Sequence, residues 1–511
     1  MSVSSRWRPG PEAFAALAGR RRLAPVWGEL VADTLTPVDA FARMVRDEPG
    51  FLLESVEGGE RWGRWSFVGR RAVGRVEVRG RRARAEGVAA GVVPPEGGAF
   101  GALEALLGAF GSPPERALPP LHGGVVGYLG YDVVREVERL EGRPPDDQGL
   151  PEAVLHVIGQ LCAVDHWRQR VVLVQHVPVP EDPSAARRAY QLACEELDAL
   201  VDTLRTPAGL DPFGVQLEGS GEEVPLVPTV PPEDFRRSVL AAKEYIRAGD
   251  IFQVVLSSRF DLALRADPFA VYRVLRLVNP SPYLYFFRDP LASVVGASPE
   301  PLVRHRAGRV VMRPIAGSSP RGADPEEDQA FEARLRADPK EVAEHVMLVD
   351  LARNDVGRVA RYGSIRVDEL MTVERYSHVM HLTSQVSGVL RPGLGPTDVL
   401  RATLPAGTLS GAPKVRAMEL IDQLEPTSRG VYGGVVGYVD FSGDLDTAIA
   451  IRTLVVRPDG QASVQAGAGI VADSDPDRET QEVRHKAAAV LRAVALAEGA
   501  AAVAEPAQGA R

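Results

Sequence analysis

A mixed fold of short strands and amphipathic helices is predicted by three observations along the 511 residues. Residues 73–78 and 170–175 carry strand patterns, whereas residues 185–204 space their apolar side chains as a helix does. Proline-rich punctuation falls at residues 112–120, 143–151, 177–183 and 225–232. Hydrophobic content of 45% and charged content of 25% are those of a soluble globular protein, long enough for two domains or one composite one.

Taken in order, residues 1–20 read as an N-terminal extension and residues 21–224 as a block of alternating strands and helices. Residues 225–232 read as a linker, because a fresh helix pattern begins at Glu233 and runs to about Arg247. The block 233–496 holds nearly every residue suited to chemistry, and the Ala/Gly/Pro-rich tail 497–511 reads as disordered. An amphipathic helix is expected over residues 328–351. Residues 445–456 read as one strand, with Ala448, Ala450 and Arg452 on a common face.

Charge and cysteine content narrow the function. A formal net charge of −9 argues against a nucleic-acid binder, and the arginines at 20–22 and 79–84 fit solvated surface or strand edges. Two cysteines, Cys162 and Cys194, are too few for a disulfide framework or a thiolate metal site. Neither a signal-peptide pattern nor a run of ~18 apolar residues occurs, so a soluble, cytoplasmic protein is expected.

Two Glu-x-x-Glu pairs stand out, Glu341/Glu344 and Glu479/Glu482, each on a segment that reads as helix, with Lys486 one turn beyond the second. Residues three apart share a helix face, so two such faces brought together would present four carboxylates. Their repulsion is relieved by a hard cation such as Mg²⁺, which keeps open positions for an acidic substrate. Two salt-bridged helix faces would give the same spacing. Arg452, beside two small alanines, suits either a carboxylate anchor or an internal salt bridge. Glycines at 430, 433, 434, 437, 467 and 469 mark turns or close approach of a ligand. Around Thr408, the run Pro-Ala-Gly-Thr-Leu-Ser-Gly-Ala-Pro-Lys suggests a helix N-terminus near Ser410 or Gly411 that suits an anionic oxygen.

Six segments occur in one family's order: Ile251-Phe252-Gln253-Val254-Val255, Asn279-Pro280-Ser281-Pro282-Tyr283, Gly296-Ala297-Ser298-Pro299-Glu300, Pro314-Ile315-Ala316-Gly317, Glu344-His345-Val346-Met347-Leu348-Val349-Asp350 and Tyr376-Ser377-His378-Val379-Met380-His381. With them the chain resembles the chorismate-utilising enzymes, and most closely the large, aminating subunit of anthranilate synthase. The resemblance is dense over residues 233–490. It implies an α+β fold of four layers, α/β/β/α, with two packed, mostly antiparallel sheets.

It also implies a site. Glu341, Glu344, Glu479 and Glu482 would hold Mg²⁺ directly or through water, and Glu300 would be the general acid. His381 would serve the elimination of pyruvate, with His378, one helical turn away, as the competing candidate. Thr408 is included among the catalytic positions. Gly317, Ser318, Tyr432, Arg452, Gly467, Gly469 and Lys486 would receive chorismate. Gln253 stands where water-adding relatives place a lysine, and Ala316 where the aminodeoxychorismate-forming relative has its lysine nucleophile. Neither residue can act as base or nucleophile, which favours direct attack by ammonia.

Neither cysteine is flanked like an amidotransferase nucleophile, so the resemblance implies a separate glutamine amidotransferase subunit, in a heterotetramer of two large and two small chains. Leu52-Leu53-Glu54-Ser55 and Arg64-Trp65-Ser66-Phe67 are similar to the family's tryptophan-sensing segment. Glu54, Ser55, Pro282, Tyr283 and Tyr438 would line an inhibitory tryptophan pocket. Two departures are visible: Ser318-Ser319 replace a common Thr-Arg, removing a cation beside the site, and Leu284 replaces a frequent methionine. The alternatives are a synthase that stops at 2-amino-2-deoxyisochorismate and a non-catalytic tryptophan-sensing scaffold.

Overall fold

Two large, mostly antiparallel sheets take in nearly all the strands. The computed structural model describes residues 6–55, 63–210, 225–375 and 379–504. In the first sheet the order is Leu23–Val31, Arg170–Pro178, Gln160–Asp165, Trp65–Arg70, Gly50–Glu54, Tyr283–Asp289, Ala292–Ser298, Thr453–Val456, Gln461–Ile470, Gln253–Ala263 and Val227–Pro228. The second runs Ile315–Pro320, Val379–Val389, Arg309–Met312, Pro301–Arg306, Leu445–Ile449, Val435–Asp440, Gly124–Leu129, Ala153–Val157, Gly74–Arg79 and Arg82–Gly87.

Three apolar cores define four layers. Between the sheets, Trp27, Phe51, Phe67 and Phe287 of the first meet Val126, Tyr128, Val154 and Val436 of the second. The outer face of the first sheet is covered by helices including Pro183–Arg205, Pro232–Ala248, Pro268–Val278 and Pro476–Ala504. Gly98–Phe110, Pro339–Val359 and Pro396–Thr403 cover the second. Burial at this scale is the main force holding the layers together.

Several local expectations change. Strands from the two sides of residues 225–232 join edge to edge in each sheet, Gly50–Glu54 beside Tyr283–Asp289 in the first and Gly124–Leu129 beside Val435–Asp440 in the second, so the two blocks share their cores, and Val227–Pro228 itself pairs with Phe260 and Asp261. The first residues also pack: Trp7 and Phe14 are buried against the helix carrying Tyr190. The C-terminal helix continues through Ala504 rather than ending at 496, because Val490, Ala493, Val494 and Ala497 keep one apolar stripe against the sheet. The helix expected over 328–351 is two, Pro325–Ala337 and Pro339–Val359, since Pro339 biases Asp338 out of the helical region.

Candidate active site

Glu300 and Arg452 occupy two places where the chain crosses from one sheet to the other. Glu300 joins Ala292–Ser298 to Pro301–Arg306, and Arg452 joins Leu445–Ile449 to Thr453–Val456. The single strand expected over 445–456 is therefore broken, and Arg452 takes a left-handed φ of 50° instead of continuing the alternation. Backbone bonds tie the crossings to their neighbours: Ile449 N–H donates to the Glu300 carbonyl at 3.0 Å, and Ala297 N–H to the Arg452 carbonyl at 3.2 Å. Among the described residues Arg452 has no ion-pair partner, which removes the salt-bridge reading.

Burial pushes the Glu300 carboxyl up to about 8, against the opposing pull of the Thr408 hydroxyl and the Lys486 ammonium. Thr408 Oγ1 donates to Glu300 Oε1 at 3.0 Å. Thr408 lies in a short 3₁₀ turn, Gly407–Leu409, and not at the helix N-terminus expected there. Gly411–Ala412 instead pair with Val254 and Gln253, so the helix starts only at Lys414, after Pro413. The anion-binding helix end is thus replaced by a hydroxyl aimed at a carboxyl.

His381 sits on strand Val379–Val389, and His378 lies outside the described residues. Opposite it the strand Ile315–Pro320 bulges between Ala316 and Ser318. Gly317, at φ 72°, turns its carbonyl to His381 Nδ1 at 3.1 Å. Burial holds this histidine below its ordinary pKa; the Gly317 bond opposes that and the charges of Arg452 and Lys486 add to it. A neutral ring with Nδ1–H donating to Gly317 results. Ser318 pairs with His381 through the backbone; its side chain lies outside the described atoms.

The remaining substrate positions converge on strand Gln461–Ile470. A Cβ at Gly467 would stand 2.7 Å from the Tyr432 hydroxyl, and one at Gly469 2.6 Å from Gln253 Nε2, so each glycine makes room for a side chain. Lys486 Nζ donates to the Gly467 carbonyl at 3.0 Å and pairs with Glu482 at 2.6 Å. That carbonyl is therefore already engaged. Gln253 is buried, with Oε1 unpartnered among the described residues, and Ala316 is buried on the bulged strand of the other sheet.

The four glutamates lie on the two helices foreseen, Pro339–Val359 and Pro476–Ala504. Glu341 reaches the site, since a Cβ at Gly317 would lie 3.0 Å from its Oε2. Glu482 reaches it from the other side through Lys486 and through its charge on Arg452. Among the described residues no three His, Cys, Asp or Glu side chains stand close enough to hold a metal ion by themselves. The donor chemistry nonetheless fits Mg²⁺, which takes one or two carboxylates, keeps waters and completes its shell with substrate.

A second site is separate. Glu54, Ser55, Pro282, Tyr283 and Tyr438 all line one cavity of about 320 Å³, along with Trp65, Phe67 and Tyr285. Glu54 is buried and pairs with Arg276, with the Tyr272 hydroxyl also acting on its carboxyl, while the Ser55 hydroxyl has no hydrogen-bond partner among the described residues. Burial raises the Glu54 carboxyl despite Arg276. The Tyr283 hydroxyl donates to Asp446 Oδ1 at 2.8 Å. Arg276 and Asp446 went unnoticed in the sequence because nothing local links them to their partners. Arg429 was missed too, although its spacing from Glu425 was a visible signal.

Residues 100–492 match the family described as chorismate binding enzyme. The chain is 44% identical over 497 residues to anthranilate synthase component 1 of Acetivibrio thermocellus, covering 95% of this chain and 98% of that one. Against the protein of the same name from Pseudomonas aeruginosa the identity is 46% over 498 residues, with 95% and 99% covered. A solved structure, anthranilate synthase component I from Streptococcus pneumoniae, superposes with a TM-score of 0.74 at 36% identity, covering 90% and 98%. Sharing sequence and fold with these proteins along nearly their whole length, the chain belongs to the chorismate-binding enzymes, and within them to the anthranilate synthase component I lyases.

Proposed function

We propose that the chain converts chorismate and ammonia to anthranilate and pyruvate in an Mg²⁺-dependent reaction, with ammonia delivered by a partner glutamine amidotransferase. The observation that carries this reading is Glu300, a carboxyl kept protonated up to about pH 8 by burial and steered by Thr408. Such a group can protonate a departing ring hydroxyl at neutral pH. Arg452 receives a substrate carboxylate, and Lys486 and Tyr432 border the same place. Ammonia adds to the ring as the hydroxyl leaves as water. His381, neutral, then takes the proton from the ring carbon bearing nitrogen as pyruvate departs and the ring becomes aromatic. Glu341, Glu344, Glu479 and Glu482 would hold Mg²⁺, which would supply charge neutralisation at the ring carboxylate.

A separate source of ammonia is supported by the two thiols, both of which burial pushes up, that of Cys162 to about 12. The 320 Å³ cavity is read as an inhibitory tryptophan site, with Glu54 and Ser55 lining the end for the amino acid and the aromatic wall suited to an indole. Incubation of the purified chain with chorismate, Mg²⁺ and ammonium tests the reaction. Fluorescent anthranilate plus pyruvate is expected, and Glu479→Gln should remove nearly all turnover. A non-aromatic amino acid accumulating instead would show that elimination does not occur here, and an inert wild-type chain would leave only a scaffold.

A further inference from the structure

Arg429 lies in the loop between helix Lys414–Leu424 and strand Val435–Asp440, and it is buried. Its Nε and Nη2 donate to the two oxygens of Glu425 at 2.9 and 2.6 Å. Nη1 donates to the Leu409 carbonyl at 2.6 Å, and Nη2 also to the Val255 carbonyl at 2.7 Å. The guanidinium lies over the rings of Tyr131 and Tyr432, 4.7 and 5.6 Å from their centres. Glu425 in turn accepts from the Ser257 N–H and hydroxyl, both at 2.8 Å.

A buried ion pair is weak evidence for stability, because desolvation offsets its attraction. What distinguishes this one is the set of segments it joins. Leu409 follows Thr408, whose hydroxyl meets Glu300. Val255 stands two residues after Gln253 on the same strand, and Tyr432 lies over Gly467. One planar, five-donor group therefore reaches three segments that each carry a site residue.

We infer that Arg429 is a positioning residue: by holding the Leu409 carbonyl it sets the Thr408 hydroxyl against Glu300, and by stacking it orients Tyr432. The inference rests on the proposed role of Glu300 as the acid. Lysine keeps the charge beside Glu425 but has neither the fork nor the plane, so Arg429→Lys should loosen the turn without leaving an unpaired carboxylate. The groups facing Glu300 are the Thr408 hydroxyl, the Lys486 ammonium and, across a small cavity, Arg313 and Asp355. Of these, only Thr408 is adjacent to the carbonyl that Arg429 holds.

The test compares Arg429→Lys, Thr408→Val and the double variant in initial-rate assays with chorismate, Mg²⁺ and ammonium across pH. Each single change should lower kcat roughly 10- to 100-fold, with KM moving less. Losing the Thr408 donor raises the acid's pKa, so the alkaline limb of kcat should move to higher pH in both, and the double variant should add nothing. An unmoved limb, or losses that multiply, would overturn the inference. If Arg429→Lys does not fold by circular dichroism, Arg429→Gln combined with Glu425→Gln, which removes the guanidinium and its carboxylate together, takes its place with the same expected shift. Should neither fold, the pair is structural and the inference falls. Wild-type chain that makes no anthranilate would overturn the proposed function itself, whereas active wild type with an unmoved limb overturns this inference alone.

Discussion

The hydroxyl of Tyr285 stands 2.6 Å from that of Thr453, and Thr453 donates its own proton to the Ile451 carbonyl at 2.8 Å. Tyr285 must therefore be the donor, and the two bonds link a wall of the 320 Å³ cavity to the turn that carries Arg452. Gly296 makes the arrangement possible, since a Cβ there would lie 2.2 Å from the Tyr285 ring. Tyr285→Phe should cost about 1 kcal/mol of stability for the lost hydrogen bond. With the Arg452 turn less fixed, KM for chorismate should rise several-fold and tryptophan should inhibit less steeply. Steady-state rates with and without tryptophan check both, and unchanged values for each would break the proposed link between cavity and site.

Glu300 makes a pH prediction with a definite sign. Its folded pKa of about 8 lies above the ordinary 4.5, so between those values the folded state holds a proton that the unfolded chain has released. Stability from this group is complete below 4.5 and declines as pH rises towards 8. Glu300→Gln should abolish that decline and melt higher than the wild type at pH 8 to 9, by on the order of a few kcal/mol. The same change should lower kcat by roughly 10² to 10⁴-fold. Melting curves across pH paired with rate measurements check the two effects, and a variant no more stable than wild type at pH 9 would place Glu300 in a wetter setting.

Residue chemistry was legible in the sequence where a motif carried it; geometry was not. Gln253, Ala316, Glu300 and the four glutamates could be chosen from their segments, yet nothing local showed that Glu300 and Arg452 share the crossing between sheets. Period-two alternation cannot register a chain that leaves one sheet for another at Arg452, so residues 445–456 read as one strand. The glycine-rich run marks out Thr408, but its hydrogen-bond partner, Glu300, is far away in sequence. The joining of early and late strands at one seam in each sheet was equally invisible, because pairing partners depend on burial of distant faces rather than on local propensity.

The cavity at Glu54 yields a binding prediction. Glu54, paired with Arg276 and acted on by the Tyr272 hydroxyl, lines the cavity and is the acidic side chain there that would take a ligand ammonium. Glu54→Gln removes the charge while keeping the shape, so tryptophan affinity should fall roughly 10-fold or more, in line with loss of a charge-assisted bond. Isothermal titration with L-tryptophan measures this directly, and tryptophan methyl ester separates the amino end from the carboxylate end. Equal affinity in variant and wild type would mean that the ammonium is bound elsewhere.

Gly317 offers a probe of the carboxylates that leaves their own residues unchanged. Its φ of 72° strains any L-residue by roughly 1 to 2 kcal/mol, and a Cβ there would meet Glu341 Oε2 at 3.0 Å and the Leu335 and Leu382 methyls at 3.3 Å. Gly317→Ala should therefore displace Glu341 and disturb the carbonyl that His381 uses. If Glu341 belongs to the Mg²⁺ site, the metal concentration needed for half-maximal activity should rise roughly 10-fold or more. Titration of activity against Mg²⁺ at saturating chorismate isolates that effect from the His381 contribution, which lowers the plateau without moving the midpoint. A lower plateau at an unmoved midpoint would assign Glu341 to packing and leave the metal to the other three glutamates.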